Sequence, residues 1–396
     1  MVIALDSPQP VFAPPPPDSV PDGPDDQPRP GRPLDTVGSL GSSALVFGAA
    51  AWSHFYNGEE VLTSDVPLRT IRLALRYGIR AFDTSPYYGM SEIVLGTTLR
   101  ALAPDFPRSS YKLMTKCGRY GSTNFDYSPA TIRRSVERSL ARLHTSYLDV
   151  VYLHDCEFVA PLVAPRAEGV HVRALGAEAD VYGLRAGEEA VVRGTGDEAI
   201  LDAVAELRKM QEEGIVKNVG ISGLPLPTLL RLALLVLHTP PYKPLDAVLS
   251  YSQLNLQNAS LLTFAPALRT RAKVAHVLTA SPLNMGLLTS AIPPWHPAPP
   301  AMQDAAGAAV QRCTDFPGGL PAVAIGWAVR AAEKGEETMP TVVGLSRLEE
   351  VHQAVKTWRE VKDEVSAEAL DAAAKSAIAA FEEKNVKDWT WASGLS

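Results

Sequence analysis

The chain has 396 residues, is 46% hydrophobic and carries a formal net charge of −7, which allows one large domain or two ordinary ones. A sequence pI near 5.7 with no basic stripe excludes nucleic acid as an expected partner. Three cysteines (Cys117, Cys156 and Cys313) without CxxC spacing argue against a disulfide framework and against a structural zinc site, so no metal is expected.

The opening MVIALDSPQP lacks the charged start and long apolar stretch of a signal peptide, and no apolar run reaches the about 18 residues that span a bilayer. The expectation is a cytoplasmic protein with no membrane partner. Residues 1–36 are dominated by Pro, Asp and Gly and are read as a disordered tail. From residue 44 short apolar runs alternate with stretches of helical period. Strands are predicted at 44–50, 79–84, 111–116, 147–154, 216–222, 245–251, 274–280 and 338–344. Helices are predicted at 66–78, 91–102, 128–144, 199–214, 226–237, 259–272, 321–335, from about 347, and at 366–383. Ser128 is the expected cap of the third helix. Residues 157–198 interrupt the rhythm and read as an inserted, partly ordered excursion. Strand–helix alternation with short links implies a parallel sheet. Eight such units fit a (β/α)8 TIM barrel over 41–385, with a C-terminal tail at 386–396; an open doubly wound sheet is the alternative.

In such a barrel reactive groups sit at the carboxyl ends of strands. Asp83 ends the second strand, Lys116 the third and His154 the fourth, with Tyr88 five residues past Asp83. A free phenol is a poor base near neutral pH, and a neighbouring ammonium favours its phenolate. A carboxylate holds the ammonium in place, and a histidine orients a substrate oxygen. Four such residues at successive strand ends suit metal-free proton transfer beside a hydride acceptor.

The string FDTSPYYGMSE (82–92), with Lys116 in LMTKCGRYG and His154 in YLDVVYLHD, resembles the aldo-keto reductase signature. The resemblance covers about 44–360 and implies a catalytic tetrad of Asp83, Tyr88, Lys116 and His154, with NAD or NADP bound without a Rossmann domain. HDCEF (154–158), GISGLPL (220–226), SYSQLNLQN (250–258) and ASPLNMGLLT (280–289) resemble the family branch that oxidises D-arabinose and L-galactose-type sugars. That branch implies oxidation of a cyclic aldose at its anomeric carbon to a lactone, with Tyr88 as acid/base.

The resemblance places Ser222 and Gln253 at the nicotinamide amide, and Ser281, Leu283 and Gly286 at the pyrophosphate. Gly344, Ser346 and Glu350 fall at the adenosine ribose. Gly223 stands where many members carry Asn, and Ala280 where many carry a stacking aromatic ring. A carboxylate at Glu350 repels a 2′-phosphate and accepts from a free 2′-OH, which favours NAD. Trp52, His54 and Tyr56 are the expected substrate contacts, with Trp52 as a wall for a sugar ring. GTGDEA (194–199) has the form of a nucleotide loop, but Asp197 and Glu198 place negative charge where phosphate belongs and read as helix-start chemistry. His144, His238, His276 and His352 lack ligand spacing and read as structural. Two other functions compete with the sugar dehydrogenase: a general NADPH-dependent carbonyl reductase and a catalytically silent barrel serving as a binding subunit.

Overall fold

The computed structural model describes residues 4–53 and 56–392. Eight strands close into a barrel in chain order: β1 (Leu45–Gly48), β2 (Ala81–Asp83), β3 (Lys112–Cys117), β4 (Val150–Leu153), β5 (Val219–Gly223), β6 (Ala247–Tyr251), β7 (His276–Ala280) and β8 (Thr341–Gly344). All eight expected strands are present, and the open doubly wound sheet is excluded. Buried side chains run through β1, β2, β4 and β5 without alternation, as a parallel sheet covered on both faces requires. Parallel register sets Asp83 beside Gly48 on one side and Met114 on the other. On the next pair Lys116 lies beside Tyr152.

The helices are α1 (Val66–Arg76), α2 (Ser91–Ala101), α3 (Pro129–Arg142), α4 (Thr195–Glu212), α5 (Leu226–His238), α6 (Ser260–Thr270), α7 (Pro300–Arg312), α8 (Gly319–Ala332), α9 (Leu348–Glu360) and α10 (Glu364–Glu383). Pro67 opens α1, where its missing N–H costs nothing, and the helix buries Leu68, Ile71 and Leu75. Each such side chain contributes about 1.5–3 kcal/mol on burial. Ser128 occupies the cap position of α3, but its hydroxyl makes no capping bond; Asp126 instead accepts from the Ser128 N–H and the Thr131 hydroxyl.

The chain groups into two compact units. The first holds β1–β4 and most of β5 and of β8. Within it, part of the segment expected to be a disordered tail is ordered. Phe12 and Val20 are buried, and so is Asp26, which accepts from Arg69 through both carboxylate oxygens. Burial alone would raise the Asp26 pKa, but the bonds from Arg69 and Gly23 outweigh it and hold the carboxyl below its usual range. A short Pro-rich chain needs no core of its own when its prolines lower the entropy lost on ordering and one carboxylate meets basic side chains on a helix.

The second unit holds β6, β7, the insert, α7, α8 and α10. Helix α7 was not foreseen. Its segment is rich in Ala and follows a run of prolines, so no apolar stripe marks it. Met302, Ala305, Ala306 and Ala309 of α7 join Leu370, Ala374, Ala377 and Phe381 of α10 in one apolar cluster. The insert is more ordered than expected. Gly169–Val170 pairs antiparallel with Trp389–Thr390, which also ties down the expected C-terminal tail. Asp197, read as helix-start chemistry, is fully buried, accepts the Arg193 N–H and meets Arg231 through both oxygens at 2.8 and 2.9 Å. This anchor starts α4 four residues before the expected 199.

Candidate active site

The four strand-end residues lie in the first unit. Asp83 is the last residue of β2, Lys116 lies near the end of β3 and His154 follows β4. Tyr88 closes a 3-10 turn, Pro86–Tyr88, which Ser85 enters from extended backbone and caps by accepting the Tyr87 N–H. Asp83, Lys116 and His154 are 4%, 2% and 3% exposed, while Tyr88 is half-buried.

Lys116 Nζ donates to Asp83 Oδ1 at 2.5 Å and to the Thr84 carbonyl at 3.0 Å. It also lies 4.9 Å from the centre of the Tyr88 ring, whose phenol raises its pKa. Burial works against the charge on Lys116, but Asp83 and Tyr88 outweigh it and push its pKa up to about 12. Burial also drives His154 well below its ordinary pKa, and the charges of Lys116 and Arg119 add to this, so the ring is neutral. His154 meets the Tyr88 ring edge-on, with centroids 5.6 Å apart. The site thus joins a fixed cation, a phenol against it and a neutral imidazole.

Several supporting residues escaped the reading of the sequence. Ser85 Oγ lies 3.0 Å from His154 Nδ1, and the Tyr127 hydroxyl donates to the His154 carbonyl at 2.7 Å. Arg119 stacks on the Tyr87 ring at 4.0 Å. Beneath them, buried Glu92 accepts from Thr115 Oγ1 and from Arg142, tying β3 to α2 and α3. Ser85, Tyr87 and Glu92 all stand within the 82–92 string, but nothing in its spacing separates them from turn and helix-start residues.

The expected substrate contacts divide. Trp52 is corrected: it has no accessible surface, packs on Phe47 with centroids 5.3 Å apart, and directs Nε1 at the Ser346 carbonyl at 3.4 Å. It is a core residue that offers no face to a sugar. His54 lies outside the described residues. Tyr56 is 46% exposed; burial of its hydroxyl and the proximity of Tyr88 both oppose its ionisation.

The expected cofactor residues lie at or after the carboxyl ends of strands. In the first unit Gly344 ends β8 and Ser346 leads into α9. Glu350 is not an open carboxylate: its Oε2 accepts from the Ser346 N–H at 2.5 Å, the Ser346 hydroxyl at 3.0 Å and the Arg347 N–H at 3.2 Å. A carboxylate there also complements the helix dipole. In the second unit Ser222 lies buried in β5. A Cβ on Gly223 would fall 2.4 Å from Glu157 Oε2, and Glu157 Oε1 accepts the Leu224 N–H at 2.9 Å. Glu157 therefore fills the space that a side chain at 223 would take. Gln253 is buried, with Nε2 3.3 Å from Thr390 Oγ1. After Ala280, which ends β7, Ser281 adopts φ 64° and its hydroxyl accepts the Met285 N–H. Leu283 leads into a turn closed by Gly286 at φ 94°, where a Cβ would fall 2.8 Å from Pro293. Two buried polar atoms near these residues, Ser252 Oγ and Asn284 Oδ1, have no partner among the described residues.

A barrel rim that carries a buried lysine against a phenol, beside a neutral imidazole, suits proton transfer to and from a substrate oxygen. Comparison with known proteins agrees. The sequence model of the aldo/keto reductase family matches residues 44–375, and the chain belongs to that family. The chain is 37% identical over 324 residues to D-arabinose 1-dehydrogenase of Saccharomyces cerevisiae, covering 81% of this chain and 84% of that one. It is 32% identical over 367 residues to L-galactose dehydrogenase of Arabidopsis thaliana, covering 91% and 98%. Among solved structures, an aldo-keto reductase from Bacillus halodurans shares the fold, with TM-score 0.55 and 20% identity over 86% of this chain and 95% of that one. Among the described residues no helix is long and apolar enough to cross a membrane.

Proposed function

We propose that this chain is an NAD(P)-dependent aldose 1-dehydrogenase that converts a cyclic D-arabinose- or L-galactose-type sugar to its lactone, with NAD preferred. The observation that carries the reading is the buried Lys116 ammonium, which donates to Asp83 and lies 4.9 Å from the centre of the Tyr88 ring. The names of the two sugar dehydrogenases that resemble the chain over most of its length supply the substrate class.

The polar groups present fit a dinucleotide. Buried Ser252 Oγ and Asn284 Oδ1 want partners, and Ser281 is held in the left-handed region beside a glycine turn, as a backbone shaped around a ligand would be. Ser222, Gln253, Ser281, Leu283 and Gly286 would hold the nicotinamide and pyrophosphate, and Gly344, Ser346 and Glu350 the adenosine end. A nicotinamide held by these residues would supply the hydride acceptor for oxidation at the sugar C1. Glu350 favours NAD by its charge at the start of α9, which opposes a 2′-phosphate.

The chain's own residues manage the proton. Tyr88, as phenolate stabilised by the Lys116 ammonium, takes the proton of the C1 hydroxyl. Asp83 keeps that ammonium charged and in place. Neutral His154 donates to the same sugar oxygen and orients it. In the reverse direction Tyr88 is the acid that protonates a carbonyl oxygen. Tyr56, beside Tyr88, contacts the sugar. A panel of aldoses with NAD and with NADP, followed at the absorbance of the reduced nicotinamide, tests the proposal. Oxidation of D-arabinose or L-galactose with higher kcat/KM on NAD is expected. Reduction of simple aldehydes with NADPH and no oxidation of any aldose would replace it with a general carbonyl reductase.

A further inference from the structure

One buried hydroxyl touches both the phenol turn and the imidazole. Ser85 Oγ accepts the Tyr87 N–H at 3.1 Å and lies 3.0 Å from His154 Nδ1. Ser85 has no accessible surface, so no water serves its hydroxyl proton. A buried donor left without an acceptor costs about 1–3 kcal/mol. A neutral imidazole has one ring nitrogen that donates and one that accepts. If Nδ1 carried the proton, Ser85 Oγ would receive two donors and its own hydrogen would be buried unmet. If Nδ1 is the acceptor, the Ser85 hydroxyl accepts once and donates once, and Nδ1 is satisfied.

We propose that Ser85 is a positioning residue: by donating its hydroxyl proton to His154 Nδ1 it fixes the ring in the tautomer that carries hydrogen on Nε2. The proposal rests on the reading of His154 as the donor that orients the substrate oxygen. It gives that reading a cause and a division of labour. A ring with its proton on Nε2 donates to a substrate oxygen and cannot take that oxygen's proton, so abstraction falls to Tyr88. The same Ser85 oxygen caps the turn that ends at Tyr88, so one hydroxyl sets both the tautomer of the donor and the placement of the base. Burial, with the charges of Lys116 and Arg119 added, keeps the ring neutral, which the tautomer requires.

The test is 15N NMR of the full chain labelled at histidine, with the His154 signals assigned by their loss in His154→Gln. Two-bond couplings to the ring protons distinguish the two nitrogens. Wild type is expected to show a protonated Nε2 and a hydrogen-bonded, unprotonated Nδ1. Ser85→Ala is expected to give a mixture of tautomers and to lower kcat/KM about ten-fold, the scale of one hydrogen bond, with cofactor Kd unchanged. Ser85→Thr is expected to restore the single tautomer. A wild-type ring protonated on Nδ1 overturns the proposal, and so does a folded Ser85→Ala that keeps the wild-type tautomer. If Ser85→Ala does not fold, the wild-type spectrum still decides. The spectrum needs no substrate: protonated Nε2 in a protein that turns over no aldose would retire the sugar reading and leave the Ser85 assignment standing.

Discussion

Lys116 Nζ and Asp83 Oδ1 stand 2.5 Å apart, with side chains only 2% and 6% exposed. Removing one member of a buried ion pair strands the other and costs about 3–5 kcal/mol, whereas replacing both by apolar groups is often neutral. Asp83→Asn is therefore expected to lower Tm by roughly 10 °C and kcat by at least about ten-fold. The double variant Asp83→Asn/Lys116→Met should recover much of the Tm but none of the kcat. A double variant as active as wild type would show that the ammonium does nothing for the phenol.

Tyr88→Phe deletes the hydroxyl while leaving the ring against His154. Removing a general acid/base typically costs about 10²–10⁴ in rate. Here kcat should fall within that range while cofactor Kd, read by quenching of protein fluorescence, stays the same. Turnover within two-fold of wild type would take the acid/base role away from this residue.

Gly223 and Glu157 share one space. A Cβ at 223 would lie 2.4 Å from the Glu157 carboxylate, which also accepts the Leu224 N–H, so the carboxylate cannot retreat without giving up that bond. Gly223→Ala should cost about 1–3 kcal/mol in urea unfolding. Shortening the neighbour as well, in Gly223→Ala/Glu157→Ala, should bring a cost smaller than the sum of the two single variants. Additive costs would mean that the two positions do not meet.

The barrel and the four strand-end groups were readable because each rests on a local pattern. Near-continuous apolar runs mark buried parallel strands, and the last polar residue of each run marks the rim. What could not be read depends on partners distant in sequence. Asp26 orders the N-terminal segment only because Arg69 meets it, and Thr390 pairs with Gly169 across more than half the chain. Trp52 follows a strand like a rim residue, yet it turns inward because Phe47 and the Ser346 carbonyl receive it. Ser85 stands inside the 82–92 string, but a serine before a proline looks like any turn residue until His154 is placed against it.

Glu350 caps the start of α9, and the proposed function gives it a second job, opposing a 2′-phosphate, that one substitution separates from the first. Its carboxylate receives three hydrogen bonds from Ser346 and Arg347, so Glu350→Ala should destabilise the fold by about 1 kcal/mol, the value of a helix cap. Glu350→Arg should cost as much and, in addition, raise kcat/KM with NADP relative to NAD, because the charge facing a 2′-phosphate changes sign. An unchanged NADP/NAD ratio in the arginine variant would reduce Glu350 to a cap.

His171 is one group that ties stability to pH. Burial, with the charge of Arg166 added, pulls its pKa down to about 4, against 6.5 for a free histidine. The unfolded chain binds a proton below about pH 6.5, while the folded chain resists it until about pH 4. Its contribution is thus complete above pH 6.5, declines as pH falls and is gone below pH 4. His171→Phe keeps a ring against Tyr182, which the imidazole meets with centroids 5.8 Å apart. Urea unfolding at pH 7.5 and 4.5 should show wild type losing about 2 kcal/mol more than this variant across that interval. Equal losses in the two proteins would mean that His171 titrates in the folded chain as it does in water.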